Sequence, residues 1–239
     1  MPKICVPLVE KNKQAFLDSA KELKNIDLDL VELRIDHFEE VENLDEVKEL
    51  IKCLREILDE TPILFTFRSI KEGGEKEVSV DYYKTLNIEI AKTGYVDLID
   101  VELFTGDDIV KEIVLEAHNL NVKVVMSNHD FDKTPEREEI VKRLCKMQEL
   151  NADLPKIAVM PKSTTDVLTL LCATDDMVTK YAKTPIITMS MAGLGVISRL
   201  SGETFGSALT FGVAKVASAP GQVEVNKLSE ILKVLHNSK

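Results

Sequence analysis

A lysine and a histidine lie at positions where the sequence can support covalent chemistry. Lys156 belongs to the apolar run PKIAVM, and His129 follows the apolar run VKVVMS after one residue. A lysine that loses hydration favours its neutral amine, which attacks carbonyl carbons. A histidine at the end of a strand can act as a general acid or base. The two residues therefore indicate an imine-forming enzyme, with a solvent-reaching structural role next to Pro155 as the alternative for Lys156.

Further charged side chains have the sequence parity that would place them inside the fold with Lys156. They are Glu32, Arg34, Arg68, Asp100 and Glu102. Because side chains alternate along a strand, these charges would be buried together, which is costly unless they pair or bind a polar ligand. A metal site that combines His129 with one of the acids is the alternative. The two arginines already supply positive charge, and His-x-x-x-His or Cys-rich spacing is absent from the sequence, so we expect no metal.

Short β-branched runs alternate with longer amphipathic stretches along the whole chain and would position these residues. The eight strand candidates are KICVPLV, LDLVELR, PILFTF, VDLIDVE, VKVVMS, PKIAVM, PIITM and SALTFG. Eight βα units predict an α/β fold, the (β/α)8 TIM barrel, with its active site at the C-terminal ends of the strands. The turn VEKN at 9–12 lacks the glycines of a dinucleotide-binding fold. No Gly/Ser/Pro-rich linker divides the chain, so residues 1–239 are predicted to form a single catalytic domain.

The predicted helices have apolar residues three and four positions apart. They are expected at 43–58, 81–92, 107–119, 134–150 and 164–181. Pro135 is predicted to occupy the first helical position of the fourth of these segments, because its missing N–H is not needed there. Asp107 and Asp108 are predicted to begin the third, where the helix dipole favours acids.

The composition argues against several classes of protein. The chain has 30 Lys and Arg against 41 Asp and Glu, and this net charge of -11 argues against a nucleic-acid surface. Nowhere do about 18 apolar residues follow one another, and the chain reaches its first strand too early for a signal peptide. The four cysteines are widely spaced, as is typical of reduced core residues. We expect a cytoplasmic protein that does not enter a membrane.

Two polar loops would lie at the C-terminal end of the barrel. The loop KEGGE at 71–75 has two glycines that would let Glu72 approach His129, although such a pair is more often a flexible turn. The loop SAPGQ at 218–222 is expected to be either a mobile lid with polar ligands or a solvated loop. The other histidines lie on or beside amphipathic helices and fit structural roles: His37, His118 and His236.

The motifs of the chain resemble the type I 3-dehydroquinate dehydratase family, Schiff-base enzymes of the shikimate pathway, along nearly the whole sequence. The matching stretches, in order, are VELRIDHF, FTFRS with KEGGE, DLIDVELF, VMSNHDF, PKIAVMP, ITMSM with ISR, and SAPGQ. The resemblance implies dehydration of 3-dehydroquinate to 3-dehydroshikimate by a homodimeric barrel without a cofactor. It implies a small-molecule partner, and neither nucleic acid nor membrane.

The resemblance also implies a role for each matching residue. Lys156 would form the imine with the substrate ketone, His129 would remove a proton from the adjacent carbon and later protonate the departing hydroxyl, and Glu72 would orient His129. Arg199 would bind the substrate carboxylate as a bidentate pair. The remaining matches would bind hydroxyls or close over them: Glu32, Arg34, Arg68, Ser218 and Gln222.

Two features depart from the family pattern, and two other functions compete with it. Pro7 stands where relatives can carry a serine, and the chain starts directly at its first strand, whereas many relatives have an N-terminal β-hairpin. The nearest rival is a class I aldolase acting on a sugar phosphate, which would need a phosphate cradle where AGLG at 192–195 is a weak match. The other rival is a catalytically silent barrel used for binding or regulation.

Overall fold

Nine parallel strands form one curled sheet in the computed structural model, which describes residues 1–238. The strands are β1 (Lys3–Leu8), β2 (Leu30–Arg34), β3 (Ile63–Thr66), β4 (Leu98–Glu102), β5 (Lys123–Asp130), β6 (Leu154–Val159), β7 (Ile187–Ser190), β8 (Leu209–Val213) and β9 (Val223–Glu224). The first eight follow one another around the sheet in chain order and alternate with helices, which confirms the predicted (β/α)8 barrel. The two-residue β9 pairs with the end of β8 and was not predicted, because two residues show no periodicity.

The barrel closes between β7 and β8, where the backbone pairing is weakest. Parallel ladders join the other neighbouring pairs of the eight, whereas within residues 1–238 β7 and β8 are joined by the isolated bridge between Ile186 and Ser207. The Ser207 hydroxyl extends this bridge by accepting from Thr188 N at 3.0 Å. A side chain therefore provides part of the pairing that a ladder provides elsewhere. We call residues 186–188 and 207–208 the seam.

Helices cover the outside of the sheet. They are α1 (Lys13–Leu23), α2 (Leu44–Leu58), α3 (Val80–Ala91), α4 (Asp107–Asn119), α5 (Arg137–Glu149), α6 (Thr164–Asp176), α7 (Ala192–Leu200), α8 (Gly202–Phe205) and α9 (Val225–Asn237). Side chains that cap free backbone N–H groups mark several helix starts. Asn43 accepts from Glu46 N before α2, and Ser163 forms a capping box with Asp166 before α6.

The fourth predicted helix starts later than expected. Pro135 lies before α5, whose first residue is Arg137, because Glu136 keeps an extended backbone with φ -58° and ψ 151°. The carbonyl of Glu136 then accepts from the N–H groups of Glu139 and Ile140. The Thr134 hydroxyl donates to the Met160 carbonyl at 3.0 Å, so this segment contacts the end of β6 before the helix starts.

Side chains on the two faces of the strands form two apolar regions. Residues that face the helices make the larger core, whereas a smaller cluster inside the barrel contains Cys5, Leu30, Leu64, Val125 and Leu209. Two positions beyond Leu30, Leu64 and Val125, toward the C-terminal ends of the strands, the inward side chains are polar. The period of two predicted from the sequence therefore places Glu32, Thr66 and Ser127 above an apolar floor. Within residues 1–238, no helix is both long enough and apolar enough to cross a membrane.

Candidate active site

A cavity of about 430 Å³ opens at the C-terminal ends of the barrel strands. The nine residues for which the sequence predicted a role all line it: Glu32, Arg34, Arg68, Glu72, His129, Lys156, Arg199, Ser218 and Gln222. Met189, Met191 and Phe211 supply much of the apolar wall. This combination of convergent polar groups in an apolar cavity is the usual form of a small-molecule site.

Lys156 lies inside the barrel on β6, with only 3% of its surface exposed. Its amine is 3.6 Å from Glu32 Oε1, 3.6 Å from Asp100 Oδ2 and 4.4 Å from the centre of the Phe211 ring. The alternative in which the amine reaches solvent at the lower rim is therefore wrong. Two carboxylates and an aromatic ring therefore surround the amine inside the barrel.

His129 and Glu72 form a pair at the end of β5. His129 Nδ1 lies 3.0 Å from Glu72 Oε2, and the same oxygen accepts from the backbone N–H of His129 at 2.9 Å. Burial, followed by the charge of Arg68, holds the pKa of His129 well below its usual value. Burial and the neighbouring Glu102 carboxylate raise the pKa of Glu72 to about 8. A neutral imidazole that donates from Nδ1 to an ionised Glu72 leaves Nε2 free to accept a proton.

The two glycines of the loop 71–75 allow Glu72 to approach His129. Gly73 has a left-handed φ of +84°, a conformation that side chains disfavour. A Cβ on Gly74 would lie 1.9 Å from the Arg68 carbonyl oxygen, so only glycine fits against this strand end. The loop is therefore a fixed turn rather than a flexible one at this point.

Arg68 is at the centre of a buried charge cluster. Its guanidinium donates to Glu102 Oε1 and Ser127 Oγ, both at 2.9 Å, and lies 2.9 Å from Asp100 Oδ2. The Ser127 hydroxyl in turn donates to Asp100 Oδ1 at 2.6 Å. Arg68 therefore holds Asp100 next to the Lys156 amine and supplies positive charge to both Asp100 and Glu102.

Arg34 is fixed by a residue that the sequence analysis did not single out. Arg34 Nε and Nη2 donate to the two oxygens of Asp36 at 2.8 Å each, a bidentate pair in which Asp36 is fully buried. Asp36 also accepts from the backbone N–H groups of Arg68 and Glu75. One carboxylate therefore connects the ends of β2 and β3 with the loop that contains Glu72. The spacing Arg-x-Asp at the end of a strand is a local signal that could have identified it.

Arg199 is a buried cation without a carboxylate partner among the residues the structure describes. It is 1% exposed, its Nε has no hydrogen-bond acceptor, and Nη2 donates to the Pro220 carbonyl at 3.1 Å. Burial lowers its pKa to about 10, so the guanidinium is charged at neutral pH. A buried unpaired charge is costly, which makes this position suited to an anionic ligand.

The loop 218–222 is tied to the cavity by hydrogen bonds. Gln222 Nε2 donates to Ser218 Oγ and the Ser218 N–H donates to Gln222 Oε1, both at 3.0 Å. The Ser218 carbonyl accepts from Arg34 at 3.3 Å, and the Pro220 carbonyl accepts from Ala192 N at 3.1 Å. Of the two expectations for this loop, a polar cover over the site agrees with these contacts better than a solvated loop.

Two further groups in the site were not predicted to have a role. Asn128 lies on the face of β5 opposite His129, and its parity indicated only a core position, yet Nδ2 donates to Glu72 Oε1 at 3.1 Å. Phe211 provides the ring beneath the Lys156 amine. Pro7, which departs from the family pattern, is not among the residues that line the cavity. Within residues 1–238, no group of three or more His, Cys, Asp or Glu is arranged to hold a metal ion.

Comparisons with known proteins agree with this arrangement. The family model for type I 3-dehydroquinase matches residues 4–239. The 3-dehydroquinate dehydratase of Clostridioides difficile (strain 630) is 62% identical over 237 residues, which is 99% of this chain and 93% of the relative. That of Listeria innocua is 62% identical over 235 residues, which is 98% of this chain and 93% of the relative.

Solved structures show the same similarity. The crystal structure of the type I 3-dehydroquinate dehydratase from Clostridium difficile with covalently modified comenic acid has a TM-score of 0.98 at 61% identity, covering 100% of this chain and 94% of that one. The Aquifex aeolicus 3-dehydroquinate dehydratase has a TM-score of 0.83 at 30% identity, covering 99% and 100%. A 3-hexulose-6-phosphate synthase shares the fold at 16% identity and a TM-score of 0.63, covering 97% and 98%. The family model and the relatives show that the chain belongs to the type I 3-dehydroquinase family of enzymes.

Proposed function

We propose that this chain, as one catalytic domain, dehydrates 3-dehydroquinate to 3-dehydroshikimate through an imine on Lys156, with His129 as general acid and base. The observation that carries the proposal is that Lys156 and His129 line one cavity together with Arg199, a buried cation with no carboxylate partner among residues 1–238. A ketone that also bears a carboxylate can engage all three groups at once. The covalently modified ligand in the Clostridium difficile relative supports covalent chemistry as a property of the family.

The first steps form the imine. Lys156 reacts as the neutral amine, so its ammonium proton must leave, and Glu32 and Asp100 are acceptors at 3.6 Å. The amine nitrogen adds to the ketone carbon, the resulting carbinolamine loses water, and an iminium forms. The proton taken up by the carboxylate returns to the hydroxyl that leaves as water, so both carboxylates then lie next to the iminium and stabilise its positive charge.

The next steps eliminate water from the bound ring. The iminium withdraws electrons, which acidifies the adjacent C–H, and His129 Nε2 removes that proton while its Nδ1–H donates to Glu72. The carbon–carbon double bond forms as the C–O bond to the neighbouring hydroxyl breaks, and the imidazolium returns its proton to the departing oxygen. Hydrolysis of the product imine then restores Lys156, so the net change is the loss of one water.

Arg199 provides the site for the substrate carboxylate in this proposal. The guanidinium is buried, charged and free at Nε, so a bidentate carboxylate would provide the partner that the protein itself lacks among residues 1–238. Arg34, Ser218 and Gln222 would bind hydroxyls on the ring or cover them, because they line the cavity.

The aldolase rival has little support in the segment that would hold its phosphate. The N–H of Ala192, at the start of α7, already donates to the Pro220 carbonyl. A Cβ on Gly195 would lie 2.2 Å from the Ser190 carbonyl oxygen, so this glycine serves the close packing of α7 on β7. Gly195 is therefore explained by packing and not by a phosphate cradle, whereas a Cβ on Gly193 would meet no atom within 4 Å.

Borohydride trapping tests the proposal. Borohydride reduces an imine to a stable amine, so the wild-type chain incubated with 3-dehydroquinate should gain the mass of the reduced adduct, located at Lys156 by peptide mapping. Lys156→Ala should form no adduct and lose turnover, whereas His129→Ala should still form the adduct with almost no turnover. Lys215→Ala is the matched control, since this exposed lysine pairs only with Glu22 on the surface. Full turnover by Lys156→Ala would refute the mechanism.

A homodimer in the cytoplasm completes the proposal. Both features are implied by the family resemblance, and the widely spaced cysteines fit a reducing compartment. Sedimentation equilibrium would test the dimer through its mass, and fractionation of the source cells would test the location.

A further inference from the structure

The side chain of Asn128 connects the candidate base to a helix outside the barrel. Asn128 is 4% exposed and points to the helical side of β5. Its Nδ2 donates to Glu72 Oε1 at 3.1 Å, and its Oδ1 accepts from Arg143 Nη1 at 2.9 Å. Glu72 therefore uses Oε2 for His129 and Oε1 for Asn128.

Arg143 is itself held in place by three groups. Its Nε donates to Glu139 one turn earlier in α5 at 2.8 Å, Nη1 lies 3.7 Å from Asp130, and the guanidinium lies 5.6 Å from the centre of the Phe104 ring. A guanidinium has donors and no acceptor. The amide oxygen of Asn128 must therefore face Arg143, and the NH₂ group of the same amide then faces Glu72.

We propose that Arg143 and Asn128 form a positioning relay that keeps Glu72 oriented to accept the Nδ1 proton of His129. This inference rests on the proposed function, in which neutral His129 removes a proton through Nε2. Asn128 and Arg143 touch neither the cavity nor the reacting atoms. They act only through Glu72, so they are positioning residues and not catalytic ones.

The protonation state of Glu72 explains why a donor is needed there. Glu72 faces Arg68 at 3.7 Å and His129 at 3.0 Å, with the acids Asp100 and Glu102 nearby. Burial and Glu102 raise the pKa of Glu72, whereas Arg68 and the Asn128 hydrogen bond lower it. A protonated Glu72 would donate to Nδ1 and move the imidazole proton to Nε2. That tautomer cannot accept a proton from the substrate at Nε2.

Asn128→Asp is the most informative variant. It keeps the shape of the side chain and its contact with Arg143, and it replaces the donor facing Glu72 with an acceptor. We expect kcat to fall at least tenfold with KM within twofold, and the ascending limb of kcat/KM against pH to move at least one unit toward alkaline pH. Arg143→Met, which frees the amide to rotate, should lower kcat three- to tenfold, and Arg143→Lys should restore most of it.

A matched control and a substrate-free measurement complete the test. Arg137 is on α5, as Arg143 is, but it pairs with Asp176. Arg137→Met should therefore leave kcat and the pH dependence of kcat/KM unchanged. In the ligand-free protein at about pH 9, above the pKa of about 8 of Glu72, the ¹⁵N imidazole signals of His129, assigned with His129→Ala, should show the Nδ1–H tautomer in the wild type. In Asn128→Asp they should shift toward the Nε2–H tautomer.

The outcomes separate this inference from the proposed function. If the wild type turns over 3-dehydroquinate and both Asn128→Asp and Arg143→Met keep its kcat and pH limb, the relay is wrong. If Asn128→Asp does not fold, Arg143→Met decides by the same criteria. If the wild type neither converts 3-dehydroquinate nor forms the reduced adduct with it, the proposed function fails. The NMR measurement tests the relay independently of activity: unchanged imidazole signals in the variants would overturn it.

Discussion

Replacement of Arg199 by methionine would separate two effects of the same buried charge. In the ligand-free protein the guanidinium is 1% exposed, and burial lowers its pKa to about 10. At about 1.4 kcal/mol per pKa unit, this lowering from the usual pKa of an arginine corresponds to about 3 kcal/mol against the charged folded state. Both the folded and the unfolded chain are protonated below about pH 10, so the full penalty applies at pH 7 and is relieved only as the pH rises above about 10.

Arg199→Met should therefore stabilise the empty protein while it damages binding. The variant loses the hydrogen bond to the Pro220 carbonyl, which is worth about 1 kcal/mol. The free energy of unfolding at pH 7 should consequently rise by about 1–2 kcal/mol. The loss of a charge-assisted bidentate pair should raise the activation free energy that corresponds to kcat/KM by about 3 kcal/mol. The value of kcat/KM should therefore fall on the order of 10²-fold.

Urea unfolding followed by circular dichroism, with and without the substrate, would measure both effects. Arg199→Lys serves as the comparison, because it keeps a buried charge but lacks the planar fork, and it should lose activity without gaining stability. Substrate should protect the wild type against urea and protect Arg199→Met much less. The reasoning is refuted if Arg199→Met is destabilised by more than about 1 kcal/mol or keeps kcat/KM within threefold of the wild type.

Two other residues of the site give separate predictions. Gly74→Ala would place a Cβ 1.9 Å from the Arg68 carbonyl oxygen, so the loop should shift. We expect kcat to fall at least tenfold and a crystal structure to show Glu72 displaced from His129. An undisturbed loop would contradict this prediction. Because the pKa of Glu72 is raised to about 8, kcat/KM of the wild type should rise with pH up to about that value. In Glu72→Gln this rise of kcat/KM with pH should occur below pH 6.5, because the pKa of His129 is lowered. If the rise stays near pH 8 in the variant, a group other than Glu72 causes it.

Local periodicity explains why the barrel and the inward residues could be predicted. The alternation along a strand is independent of its neighbours, so parity predicted inward positions for Lys156 and Arg68, although it left open a solvent-reaching role for Lys156. The helix starts were less accurate where a tertiary contact competes with local signals. Pro135 predicted the first residue of a helix, but the contact of Thr134 with the end of β6 extends the preceding segment.

Contacts between distant segments were not visible in the sequence. Asn128 has the parity of a core residue, and only the fold brings the loop with Glu72 around the strand edge to meet its amide. The acids near the Lys156 amine were predicted to be inward, but their distances depend on the register between β2, β4 and β6, which no single strand encodes. For Asp36, by contrast, the signal was local, because it is two residues from Arg34.

The seam between β7 and β8 has a consequence for the response of the protein to its ligand. Arg199 comes from the chain that follows β7, and the cover at 218–222 comes from the chain that follows β8. A carboxylate bound by Arg199 beneath that cover would connect the two sides of the seam, where few backbone hydrogen bonds do so. Ligand binding would then slow the opening of the whole barrel, in addition to ordering the groups that contact the ligand.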